Sequence, residues 1–206
     1  ATVEQYGDYI EQTDLLELTA VDNTIVEATK QLASQAGLTM DTIVRNELVG
    51  GTNVMYCPKV ANGTETAVNL RYEIDKTALL RVKDVFKAAA ELKAMNAPKI
   101  DGYYVGIIHP YVAYDLMQEA GNQWMEVQKY TTPENMLNGE IGSLGGVRFV
   151  ESTEAKIWRE GKDNCAVFAT LILGSDAYGV TSVTGGGIEH IVKQKGYGND
   201  PLNQRS

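Results

Sequence analysis

Apolar positions between Thr24 and Val49 recur at steps of three and four: Ile25, Ala28, Leu32, Ala36, Met40, Ile43, Val44 and Leu48. That spacing lines one face of an α-helix. Asp22-Asn23-Thr24 supplies its start, with Thr24 and Glu27 at capping-box spacing and Asn23 as an alternative cap. Gly37 interrupts the run, and Gly50-Gly51 ends it. The predicted rod is about 38 Å long. Since an average helix has about 11–12 residues, this one reads as a spine that crosses a whole domain.

The rest of the chain switches between the two periods. Residues 2–13 alternate loosely and predict one or two strands of an extended ribbon. Thr52–Tyr56 reads as a short strand or turn, Cys57–Thr66 as a polar loop with Asn62-Gly63, and residues 67–74 as loop or strand. A second helix is predicted from Thr77 to about Met95, with Leu79, Val82, Phe86, Ala89 and Leu92 or Lys93 on one face and a charged, solvated opposite face. Tyr103–Ile108 predicts a buried strand, and His109-Pro110 the start of a third helix, with proline at its first position. Gly121–Tyr130 is mixed, and a helical turn is predicted from Thr132 through Leu137. The glycine-rich stretch 139–146 precedes a strand at Val147–Glu151. Ala166–Leu173 is almost wholly apolar and predicts a strand in the middle of a sheet. Asp176–Gly179 and Gly185–Gly187 predict turns, and Ile188–Lys193 a last strand. The class is α+β: long helices on a mixed sheet.

Composition narrows the possible functions. With a formal net charge of -9 and no basic run, the chain is unsuited to gripping phosphate backbones as its main work. No apolar stretch approaches the roughly 20 residues that cross a bilayer. Cys57 and Cys165 lack any paired spacing and read as buried free thiols. The 11 tyrosines suit half-buried strands first and interfaces second. Both termini read as cuts through a longer polypeptide.

No catalytic constellation emerges. His109 reads as a cap for the following helix, because a general base needs an orienting partner. His190 reads as a surface residue on a strand. Positions 57, 109, 165 and 190 have none of the spacings of a zinc site. Gly50-Gly51-Thr52 follows a helix, and Gly185-Gly186-Gly187 lies between strands, so neither fits a phosphate loop. Asp8 with Glu11, and Glu151 with Glu154, lack the oxygen cage that calcium needs. The reading is therefore not an enzyme, with no catalytic, cofactor-binding or metal residues.

A series of phrases carries a resemblance. They are Gln5-Tyr6-Gly7-Asp8-Tyr9 followed by Thr13-Asp14; Gly51-Thr52-Asn53-Val54; Asn96-Ala97-Pro98; and His109-Pro110 with Tyr114-Asp115-Leu116. Then come Asn138-Gly139-Glu140-Ile141-Gly142, Gly145-Gly146-Val147-Arg148-Phe149-Val150-Glu151, Gly174-Ser175-Asp176-Ala177-Tyr178-Gly179, and Asp200-Pro201-Leu202-Asn203-Gln204-Arg205. In this order they resemble the major capsid proteins of tailed phages, of the phage N-four-like type with the Hong Kong ninety-seven capsid fold.

The resemblance implies residues 1–13 as the return of an extended loop, with the N-terminal arm and most of that loop missing. It implies a peripheral domain at 14–102 with the spine helix at about 24–49 and a second helix at about 77–95, and an axial domain at 103–185. Residues 186–206 would return to the peripheral domain and end in a tail. It further implies a subunit that self-assembles into hexamers and pentamers of an icosahedral head, made in the bacterial host cytoplasm and located in the virion. Scaffold, portal and decoration proteins are implied partners, with packaged DNA met only non-specifically and no membrane. An encapsulin-like compartment shell is the second reading, and a small soluble enzyme the third.

Overall fold

The computed structural model describes residues 4–12, 16, 19–21, 23–121, 140–180 and 189–192. The chain divides into two compact units, residues 1–43 with 180–206, and residues 44–179.

In the first unit, α1 (Thr24–Val49) begins as the periodicity predicts, and its last six residues belong to the second unit. Of the two candidate caps, Asn23 takes the role: its Oδ1 accepts from Val26 N at 3.4 Å. The Thr24 hydroxyl instead donates to Gln12 Oε1 at 3.2 Å, while Gln12 Nε2 donates to Thr24 O at 2.9 Å. This pair ties residues 4–12 to the helix start. Those residues form no regular strand, only a single bridge at Gln12, contrary to the expected ribbon. Their side chains are mostly exposed, so nothing rewards strand pairing. Positions 2, 3 and 13 of that prediction lie outside the described residues.

No residue of α1 is fully buried. Ala28, Leu32, Ala36, Ile43, Val44 and Leu48 of the predicted stripe are half-buried, but Ile25 and Met40 are exposed. The covered line passes through Thr24 and Thr39 instead, one residue earlier at each point.

The second unit centres on a four-stranded sheet in the order β4-β5-β3-β8. In chain order the strands of this unit are β1 (Lys59–Ala61), β2 (Thr64–Thr66), β3 (Tyr104–Ile108), β4 (Glu140–Leu144), β5 (Val147–Glu151), β6 (Ile157–Trp158), β7 (Val167–Phe168) and β8 (Leu171–Leu173). Strands β3 and β5 pair in parallel from Tyr104↔Val147 to Ile108↔Glu151. β4 and β8 flank them antiparallel. Alternation in β3 and β5 turns Tyr104, Gly106, Ile108, Val147 and Phe149 to one face, where all are buried. Helices α2 (Val82–Ala94) and α3 (Pro110–Ala120) cover that face with Val85, Ala89, Ala113, Leu116 and Ala120. Gly106 is required here: a Cβ would lie 2.7 Å from Phe149 Cδ1 and 2.9 Å from Val147 Cγ1.

Several elements depart from expectation for local reasons. α2 starts at Val82, not Thr77, because the Thr77 hydroxyl and N–H both donate to Asp75 Oδ1, at 2.6 and 2.9 Å, in a turn. Arg81 is the extended cap residue, and its N–H donates to Asp84 Oδ2 at 3.3 Å. The Glu119 carboxylate of α3 accepts from Val82 N at 2.8 Å, so one helix caps the other. α2 closes with Asn96 at positive φ and Ala97 N donating to Leu92 O at 3.0 Å, the Schellman arrangement.

Cys57–Thr66 is not a loop but holds the β1–β2 hairpin, with Asn62 and Gly63 as its two-residue turn. Gly145 and Gly146 form the second such turn, and most of the glycine-rich stretch before it is β4. Both turns carry positive φ at both central residues, as tight hairpins require. Ala166–Leu173 breaks into β7, paired with β6, and β8, paired with β3. β8 is an edge strand, not a central one, since Ala169 N donates to Lys156 O at 2.9 Å and holds the chain on the other sheet. Thr52–Tyr56 forms no strand, and residues 67–74 contain only the 3₁₀ turn Arg71–Glu73. Residues 189–192 are not a strand, while 188 and 193 lie outside the described residues, as do 122–139 and 181–188 with their predicted turns. Among the described residues, no helix is long and apolar enough to cross a membrane.

Two glycines make opposite predictions. Gly106→Ala overpacks the sheet face and is expected to cost roughly 1–3 kcal/mol. Gly37 meets nothing within 4 Å where its Cβ would stand, so Gly37→Ala is expected to gain about 0.5–1 kcal/mol in the helix interior. Thermal melts by circular dichroism check both, and a stabilised Gly106→Ala protein would refute the packing described.

Burial is the main cause that raises the Asp84 carboxyl pKa, against the Arg81 N–H bond and the charges of Lys83 and Arg81. A raised folded-state pKa means that the site's favourable contribution is complete below the unfolded value and is lost as pH rises through the folded one. Asp84→Asn keeps an acceptor for Arg81 N and removes the charge. It should melt at or above wild type at pH 7, with the gap closing as pH falls into the carboxylate range. A gap that widens in acid would contradict this.

Candidate assembly surfaces

The side chains singled out for chemistry do not converge. His109 is buried at the end of β3, and its Nδ1 accepts from Tyr111 N at 3.2 Å, so it caps α3 as the sequence suggests. Its ring packs 4.8 Å from Phe168 and 5.2 Å from Tyr111. His190 is exposed, on irregular backbone. Cys57 and Cys165 are free but half-buried, not buried. Burial, then the Asp84 charge, pushes the Cys57 thiol up to about 12, which leaves it without the thiolate that nucleophilic or redox work needs. Asp8 accepts from Tyr9 N, and Glu154 pairs with Arg45, 3.5 Å away. Gly50 and Gly51 follow the helix end at an exposed bend, and the second glycine run lies outside the described residues. Among the described residues, no group of three or more His, Cys, Asp or Glu could hold a metal.

Contacts distant in sequence hold the second unit's loops in place. Arg45, in the last turns of α1, donates to the Glu154 carbonyl, and Lys156 Nζ to Asn46 Oδ1 at 3.3 Å. Glu65 of the β1–β2 hairpin pairs with Arg81, at 3.6 Å, and with Lys83. Lys83 is the largest of the causes that lower the Glu65 pKa. The Arg71 guanidinium lies 4.1 Å from the Trp158 ring centroid and 3.3 Å from Glu160 Oε2. Such exposed pairs contribute about 0–1 kcal/mol each, so they fix loop positions more than they stabilise the fold. None was visible in the sequence, since each joins positions far apart with no spacing rule.

Exposed apolar and aromatic side chains are what remain. Of the described tyrosines, Tyr104 is buried and Tyr56 half-buried outside any strand; Tyr6, Tyr9, Tyr72, Tyr103, Tyr111, Tyr114 and Tyr178 are exposed. The expected half-buried strand tyrosines are thus replaced by surface ones, because the strands hold few of them and the loops and helix faces hold the rest. Phe86, half exposed at 51%, stands outward on α2, and Tyr111 and Tyr114, at 70% and 61%, stand outward on α3. Exposed aromatic rings of this kind are enriched where proteins meet proteins.

Comparison with known proteins gives the context. No curated protein matches the chain. Among solved structures, the capsid of Ralstonia phage GP4 has the same fold, with a TM-score of 0.67 at 12% identity over 95% of this chain. The chain spans 64% of that protein's length. The family model described as phage capsid protein matches residues 9–200. With an α+β fold that leaves most of its described tyrosines exposed and a family model matching residues 9–200, this chain belongs to the phage capsid protein family.

Proposed function

We propose that the chain is a structural subunit of the icosahedral head of a tailed phage, of the N-four-like type, and that it catalyses nothing. The family match over residues 9–200 carries the reading. It favours a phage container over an encapsulin-like compartment. The fold supports it: a subunit of a closed shell needs broad surfaces that meet copies of themselves under symmetry, and aromatic side chains here stand outward on two helices.

In this reading residues 103–185 form the axial domain and 14–102 the peripheral domain, braced by α1. Residues 1–13 belong to a loop that crosses to a neighbour, and 186–206 return to the peripheral domain. Other copies are the first partner. Scaffold, portal and decoration proteins are further ones, and packaged DNA is met without specific contacts. The net charge of -9 suits a wall along which DNA moves freely.

Electron microscopy and sedimentation velocity of the full-length protein, expressed alone and with its scaffold, test the proposal. Rings, shells or tubes are the expected products. A protein that stays monomeric under every such condition would overturn it.

A further inference from the structure

We infer that His109 is a pH-operated latch on the first turn of α3: as an uncharged ring it caps the helix, and as a cation it lets go.

The start of α3 has few ways to satisfy its backbone. A helix leaves its first N–H groups without partners inside it. Pro110 removes one of them by having no N–H. The next, on Tyr111, donates to His109 Nδ1 at 3.2 Å. No acidic side chain stands in the first turn to take over. An imidazole nitrogen accepts a hydrogen bond only while it carries no proton. Here Nδ1 is the acceptor, so the single proton of the neutral ring sits on Nε2. A second proton must go to Nδ1, where it would face the Tyr111 N–H, donor against donor. The positive end of the helix dipole opposes the charge as well. Cap and cation are therefore mutually exclusive.

The surroundings give the charged ring a place to stay. His109 is buried, with the ring centroid of Phe168 on β7 at 4.8 Å and that of Tyr111 at 5.2 Å. Aromatic rings attract a cation at such distances. Glu151, opposite Ile108 on β5, is exposed. Lys156, whose carbonyl accepts from Ala169 N beside Phe168, sends its ammonium to Asn46 Oδ1 at 3.3 Å. Asp84, the buried carboxyl with a raised pKa, belongs to the start of α2, and Glu119 ties that start to the far end of α3. Among the described residues, the partners of the His109 ring are Tyr111 and Phe168, and neither is a carboxylate. The cap is thus present while the ring is neutral and is lost as falling pH charges it. Loosening reaches the first turn with its exposed Tyr111, whereas Ala113, Leu116 and Ala120 hold the rest of α3 on the sheet.

Amide exchange of Tyr111, followed by NMR in the full chain and corrected for the intrinsic pH dependence of exchange, tests the latch. Histidine ordinarily changes charge in the range to be compared, from about pH 8 to about pH 5. Protection at Tyr111 is expected to fall about fivefold toward the acid end, the usual worth of a helix cap, while Leu116 keeps its own. His109→Asn substitutes a side-chain oxygen that caps without titrating, and its Tyr111 protection should not change over the same range. His109→Ala should match the acid wild type throughout. Where a variant does not fold, the wild-type ring and Tyr111 amide resonances are titrated together, and one shared midpoint is expected. Constant protection of Tyr111 in the wild type, an equal loss in His109→Asn, a protected Tyr111 in His109→Ala, or a ring that takes up its proton with the Tyr111 bond intact overturns the latch.

Discussion

Parallel pairing of β3 with β5 is the constraint around which the second unit is arranged. A hairpin cannot join parallel strands; the chain must leave the sheet and cross back. Here it leaves through His109-Pro110 into α3, and it regains the sheet as β4, which a glycine turn folds onto β5. The crossover places α3 on the face where Ile108 and Phe149 point, and α2 fills the same face beside it. Two helices over one sheet leave the axis of that face crowded. Phe149 occupies the space above Gly106, so the central strand has no side chain at its middle residue. Burying a phenylalanine there is worth about 1.5–3 kcal/mol relative to exposure, more than the roughly 0.5–1 kcal/mol that a strand glycine costs.

What the sequence disclosed follows from whether a signal was local. The spine helix was legible because 26 residues repeat one period and meet a cap and a glycine stop. α3 was legible because His109 and Pro110 mark its start by fixed stereochemistry. The β1–β2 hairpin was missed although Asn62-Gly63 is a strong turn signal, because its strands are only three residues each, too short for alternation to weigh. The start of α2 was misplaced because Thr77 can bond forward into a helix or back to Asp75, and only the fold decides. Ala166–Leu173 looked continuous because periodicity does not show that two short apolar runs belong to different sheets. At the candidate surfaces the capping role of His109 was readable, whereas the outward tyrosines were not. Composition counts rings but does not orient them.

α1 carries an apolar stripe that its own unit leaves only half covered. Twenty-six residues carry an apolar stripe, yet none is fully buried. Isolated helices gain little from propensity alone, and most of their stability comes from packing an apolar face. A helix of this length with a half-covered stripe is tied at one end by Gln12 and Asn23 and at the other by Arg45 and Asn46.

The same division explains how this fold persists at 12% identity with the Ralstonia phage capsid. The positions that fix it need a kind of residue, not a particular reactive group: a small residue under Phe149, turn residues at positive φ, a proline after a capping side chain, apolar alternation in two strands. Many sequences satisfy such requirements, because cores accept extensive substitution when volume and pattern are kept. A catalytic site would add positions where only one functional group serves, held to fractions of an ångström. Requirements of kind alone leave the sequence free to drift while the arrangement of helices and strands stays.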